Sequence, residues 1–293
     1  MSVSVGIGLA FVAMLCWGFG DFLIQRSTRK VGIWETLFII SLIQFFLLLP
    51  FVWKEVPSLI VAGGFAYTIL FTTSLVLFVG ALVEFESLRR GKISAIEPAW
   101  SVEIPVAALL AFMVLNEKIG YLQILFIVTL IISLVMLALR EKHITRKFLL
   151  ERGIMIGLLG GAIMGGANFF MGWGGRVTSP MLINWFTDLF MILVTGGYLV
   201  YRNKFTQVIA DFKNNYRLLI PMSLFDGVAW LSFTVAMVMT PIAIATALSE
   251  SYIIVAVLLG LLISKEKLYI HQKWGLAGAI FSAVILAIIT GGA

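Results

Sequence analysis

Hydrophobic positions along this chain fall into runs of about 20 residues, the length that spans a bilayer core, separated by short clusters of charge. Ten such runs can be drawn, roughly 4–25, 33–53, 66–88, 93–115, 120–139, 153–173, 180–201, 217–239, 242–263 and 272–290. The stretch from Pro57 to Leu88 is too long for one span, so its early part, with Gly63-Gly64, is placed at the membrane interface. The pattern predicts an all-α polytopic membrane protein of ten transmembrane helices. An outer-membrane barrel would alternate apolar and polar residues, and that alternation is absent.

The runs repeat. Gly91 to Lys118 and Thr240 to Lys267 align at a shift of 149, which sets Glu117-Lys118 on Glu266-Lys267. Each stretch carries a carboxylate within an apolar run, Glu103 in one and Glu250 in the other. Trp17-Gly18-Phe19-Gly20-Asp21-Phe22 aligns with Met164-Gly165-Gly166-Ala167-Asn168-Phe169 at a shift of 147, placing Asp21 over Asn168. The most polar break, Arg140 to Arg152, divides the chain into a five-helix unit over 1–139, a basic connecting loop over 140–152 and a second unit over 153–293. Five spans per unit is an odd number, so the second copy is expected to enter the membrane upside down, the inverted-repeat plan of many secondary transporters. Gly157, Gly160, Gly161, Gly165 and Gly166 form a small-residue stripe on the sixth span, read as a close-packing surface.

Composition agrees with the pattern: 61% of residues are hydrophobic, 12% are charged, and the mean hydropathy is +1.05. The net charge of +6 is a topology signal, because the basic residues lie in loops. Loops after odd-numbered spans hold 18 Lys and Arg against 3 in the even loops, which places the odd loops in the cytoplasm and both termini outside the cell membrane. A nucleic-acid partner would need a soluble basic face, and none exists. The single cysteine, Cys16, lies in the first span, so no intrachain disulfide can form. The N-terminal run lacks a basic leader and is long and rich in Gly and Trp, so it is expected to be retained as a span.

Four carboxylates lie eight to ten residues into their spans: Glu103, Asp188, Asp226 and Glu250. An ionised group at a helix centre costs about 2.5–3.5 kcal/mol. Four together cost on the order of 10 kcal/mol unless they face water, pair or stay protonated. No Lys or Arg stands at similar depth. Trp100 precedes Glu103 by three, Trp185 precedes Asp188 by three, Trp230 follows Asp226 by four, and Asn184 is one turn before Asp188. Acid beside indole suits a cationic or zwitterionic amine. The bland alternatives are tryptophans that anchor interfaces and acids that serve as interhelical glue. Glu97 is read as a vestibule or first-turn acid, and Glu117-Lys118 and Glu266-Lys267 as span-end caps and anchors. Glu84 and Glu86 are expected to form local pairs with Arg89 and Arg90, and Asp21 lies a turn from Arg26.

Enzymatic motifs fail on context. Gly18-Phe19-Gly20-Asp21 matches the GxGD string of intramembrane aspartyl proteases, but no preceding helix supplies the second aspartate and no PAL sequence follows. HExxH is absent, and His143 and His271 lack metal-ligand spacing. No Walker A loop or GxGxxG occurs, which excludes ATP-driven pumping by this chain alone. No cofactor or metal is expected.

Ten spans in two halves, Trp17-Gly18 near the end of the first span, and fourth and ninth spans ending in Val-Leu-Asn-Glu-Lys and Ile-Ser-Lys-Glu-Lys resemble the EamA-type transporters of the drug/metabolite transporter superfamily. The likeness covers about 4–140 and 153–290, and the second half departs from it with Met164-Gly165 where Trp-Gly stands in the first. It implies two halves packed around a central cavity and the movement of small organic solutes, often outward. The family has no universal catalytic residues, so the acids' role is inferred from this sequence alone. The expectation is a secondary transporter of an amine, amino acid or amphipathic cation, working by alternating access. Protons exchanged at Glu103 and Glu250 are one route to coupling, and facilitated diffusion is the other. The competing class is a non-transporting membrane enzyme or sensor. Oligomeric state is not legible.

Overall fold

The computed structural model describes residues 2–61, 63–90, 100–139, 152–263 and 268–292. The described residues are mainly helical, with no strand among them. In chain order the helices are α1 (Val3–Lys30), α2 (Ile33–Val52), α3 (Val56–Val61), α4 (Gly64–Arg90), α5 (Glu103–Leu115) and α6 (Tyr121–Ala138). Then follow α7 (Arg152–Val177), α8 (Pro180–Tyr201), α9 (Phe205–Met239), α10 (Ile242–Ser249), α11 (Tyr252–Ile263) and α12 (Ile270–Gly291). Seven of these are long and apolar enough to cross a membrane, namely α1, α2, α4, α7, α8, α9 and α12, and shorter apolar helices fill the intervals. Glu97, the 140–151 part of the basic loop and Glu266-Lys267 lie outside the described residues.

Helices of the first half pack on helices of the second, and four of these pairs run antiparallel. Along α1 and α9, Gly6 lies at Met239 and Thr240, while Trp17 meets Trp230 and Phe233 edge-on. Along α4 and α7, Gly80 lies at Met164 and Val83 at Gly160. Trp34 stacks on Tyr198 at one end of α2 and α8, and Phe45 on Trp185 further along. Between α6 and α12, Gln123 donates to Thr290 at 3.1 Å at one end and Gln272 to the carbonyl of Leu137 at 3.0 Å at the other. The first helix of each half thus rests on the third-span helix of the other.

Two expected continuous spans are broken, each beside its acid. Residues 101–102 form a turn ahead of α5, and residues 250–251 separate α10 from α11. Proline explains the first break: Pro105 sits in the first turn of α5, where a missing N–H is tolerated, and it leaves the carbonyl four residues earlier without a helical donor. At the second, Ser251 turns its hydroxyl back to the carbonyl of Ala247 at 2.8 Å and Ser249 reaches the carbonyl of Ala10 at 3.4 Å. Glycine lets a helix approach both breaks. A methyl group on Gly165 would stand 2.7 Å from the Glu103 carbonyl oxygen, and one on Gly18 2.7 Å from the Val255 side chain. The eighth span also differs from expectation, since α9 begins at Phe205 and bends at Asn215, whose φ of −128° and ψ of 15° are not helical.

Candidate functional site

A cavity lies between the two sets of helices. Six carboxylates line it: Asp21 on α1, Glu84 on α4, Glu103 at the start of α5, Asp188 on α8, Asp226 on α9 and Glu250 at the end of α10. None of its described lining residues is Lys, Arg or His. The four acids singled out by depth are all buried, with Glu103 5%, Asp188 6%, Asp226 7% and Glu250 8% exposed. Leaving charges of one sign at this burial without a cation is costly, and their retention in one chamber marks it as the polar centre of the bundle.

Amides hold these acids in two groups. Asn168 donates its amide to Glu103 Oε2 at 3.0 Å and, from the same nitrogen, to Glu250 Oε1 at 3.5 Å. One side chain of the second half therefore joins the acids of both halves. In the other group Gln44 of α2 donates to Asp226 Oδ2 at 2.8 Å and to the carbonyl of Ser223 at 3.4 Å. Asp188 belongs to this side, within electrostatic reach of Asp226, and its Oδ2 has no hydrogen-bond donor. Asn184 is engaged by the carbonyl of Pro180 at 2.7 Å and Thr234 at 3.0 Å. Glu84 stands between the groups, in electrostatic reach of both Glu250 and Asp226.

Of the tryptophans read as partners of the acids, the structure places only Trp230 on the cavity wall. Trp100 is buried before the break at 101–102, so the three-residue spacing that sets it beside Glu103 on an unbroken helix does not apply. Trp185 is turned the other way, stacked on Phe45 at 5.1 Å in a separate apolar cluster with Val52 and Leu182. Trp17, read in the sequence only as part of the repeat and family motifs, completes the aromatic wall by meeting Trp230 at 5.3 Å with planes 83° apart. Arg89 pairs with Glu86 at 2.9 Å, as expected, and Glu84 lines the cavity; the side chain of Arg90 lies outside the described residues. Glu117 is more than an anchor, as it binds Arg176 at 2.6 Å and accepts from the backbone N–H of Ile242 at 2.9 Å. At the other end of the bundle Lys204, just after α8, pairs with the buried Glu35 of α2 at 3.1 Å.

The lining has an order that the sequence carries. Asp21 and Asn168, Glu103 and Glu250, Ser41 and Asp188, and Gln44 and Met191 each lie 147 residues apart, and every one of these residues lines the cavity. Leu77 with Asp226 and Ala81 with Trp230 do the same at a spacing of 149. Extending the 147 register from Asp21 to Ser41 and Gln44 is the signal that finds these positions without coordinates.

Fold and site together define the class: a helical integral membrane protein whose two repeated units share one acidic chamber. Comparison with known proteins names the group. The chain belongs to the EamA-like transporter family, which it matches over residues 4–139 and again over 151–288. No curated protein matches it. Among solved structures, one titled only as the crystal structure of a protein superposes with a TM-score of 0.75 over 97% of each chain at 11% identity, a likeness of fold.

Proposed function

We propose that this protein is a ten-span secondary transporter of small organic amines, amino acids or amphipathic cations, exporting them by alternating access. The single observation that carries this reading is the chamber itself. Six carboxylates, five buried and Glu84 half-buried, contributed by both repeats and opposed by no basic side chain among the described lining residues, give a cation a favourable place at mid-span. The helix breaks at 101–102 and 250–251 support it, because transporters build binding sites where spans are discontinuous. The antiparallel pairing of α1 with α9, α4 with α7 and α2 with α8 supports an inverted relation between units 1–139 and 153–293, joined through 140–152.

Rocking one unit against the other must break and remake contacts at either end of the chamber. At the end holding the even loops, the Glu117–Arg176 pair ties α5 and α7 to the α9–α10 corner, with Arg176 also donating to the carbonyls of Met237 and Thr240. At the odd-loop end Lys204 and Glu35 tie α8 to α2. These pairs act as latches for the two faces. Proton exchange at Glu103 and Glu250 couples transport to the proton gradient, and the odd loops face the cytoplasm of a cell-membrane protein.

Flux into proteoliposomes tests the reading. Saturable uptake of a labelled amine or amino acid is expected, accelerated by an imposed proton gradient. Folded protein that moves none of them defeats the transporter reading, and uptake indifferent to both Glu103→Gln and Glu250→Gln defeats the coupling.

A further inference from the structure

Resting on the transporter reading of the same chamber, we infer that the substrate is a linear diamine, a dication whose two ammonium groups reach the two acid groups at once. Three features of the lining select it. First, the acids are distributed. Glu103 and Glu250 share Asn168 on one side, Asp226 and Asp188 stand together on the other, and Glu84 lies within electrostatic reach of both sides. Among the described residues no three carboxylate, histidine or cysteine side chains converge closely enough to hold a metal ion. Spread charge suits an extended polycation better than a compact one.

Second, the chamber offers nothing to an anion. A zwitterion would bring a carboxylate among six acids with no Lys, Arg or His in the described lining to receive it. The amides that might stand in are occupied: Asn168 by Glu103, Gln44 by Asp226, and Asn184 by Pro180 and Thr234. That arrangement selects against amino acids by leaving their carboxylate unpaired. Third, one acid is waiting for a donor. Asp188 is 6% exposed, faces the cavity, and leaves Oδ2 without a hydrogen-bond partner. A buried acceptor in that state costs free energy until a ligand N–H fills it. A monoamine satisfies one acid group and leaves the other uncompensated; a diamine satisfies both. The Trp17–Trp230 edge-on pair lies along the same wall, apolar for the methylenes and electron-rich for the ammonium ends.

The test is flux through the purified full-length protein in proteoliposomes, comparing putrescine, n-butylamine and a neutral amino acid at equal concentration. Putrescine is expected to move at least about tenfold faster than n-butylamine, and to raise the melting temperature more. Asp188→Asn and, independently, Asp226→Asn are each expected to lower putrescine flux more than n-butylamine flux and so remove that preference; Glu86→Gln, in the exposed pair with Arg89, leaves it intact. Flux of n-butylamine or the amino acid equal to or above that of putrescine overturns the diamine inference and leaves the transporter reading standing. A monodisperse protein that moves none of the three overturns both.

Discussion

Asn168 is the residue on which the acids of the two repeats converge, and it stands where the first repeat has Asp21. An amide there supplies the donor that a second aspartate could not. Asn168→Ala leaves Glu103 and Glu250 facing each other without that donor, and the expected loss is about 1–3 kcal/mol of stability, read as a lower melting temperature in detergent. Transport falls with it. Asp188 behaves in the opposite sense. Replacing its carboxylate by an amide removes a like charge beside Asp226 and an acceptor with no donor. Asp188→Asn is therefore expected to hold or raise the melting temperature by an amount on the order of 1 kcal/mol while lowering amine flux. A mutant that loses both stability and flux would show Asp188 to be structural glue.

At the scale of elements, the helix breaks need both the residues that make them and the neighbours that fit them. Pro105 interrupts the backbone ladder ahead of α5, and Gly165 of α7 allows close approach to the Glu103 backbone. Gly165→Val introduces a side chain where a single methyl group already lies 2.7 Å from that carbonyl, with Val106 2.8 Å away. Overpacking of this kind costs about 1–3 kcal/mol, and the thermal melt is the measurement. Gly18→Val, 147 residues earlier and packed on Tyr252 and Val255, is expected to cost a similar amount. If either variant melts like the wild type, the close approach is not a constraint.

For the whole molecule, the consequence of antiparallel pairing is a pair of latched ends. Arg176→Ala removes the ion pair with Glu117 and the donors to Met237 and Thr240, freeing the end of the bundle that carries the even loops. The expected result is faster labelling of a cysteine placed at Thr240, and an altered transport rate with the acids untouched. Glu117→Gln gives a smaller effect, since Arg176 keeps its carbonyl partners. Sidedness is checked separately: a cysteine at Lys54 should react from outside and one at Lys204 from the cytoplasm.

How much of this was legible without coordinates depends on which force decided it. Runs of apolar residues set the helices, because a bilayer leaves an apolar segment no other way to satisfy its backbone. The two-unit plan was legible too, since the copies retain residues in order, as Asp21 over Asn168 and Glu117 over Glu266. The depth of Glu103, Asp188, Asp226 and Glu250 marked them as costly. What the sequence could not state is direction. Trp100 and Trp185 have the spacing of cavity residues, yet one lies beyond a helix break and the other packs on Phe45. Trp17 was legible only as a repeat motif and Glu84 only as a local ion-pair partner, yet both line the chamber. The partners that decide these cases, Trp230 for Trp17 and Asn168 for Glu103, come from the other repeat. Spacing along one helix fixes which residues share a face; only the packing of the two repeats fixes which face meets the cavity.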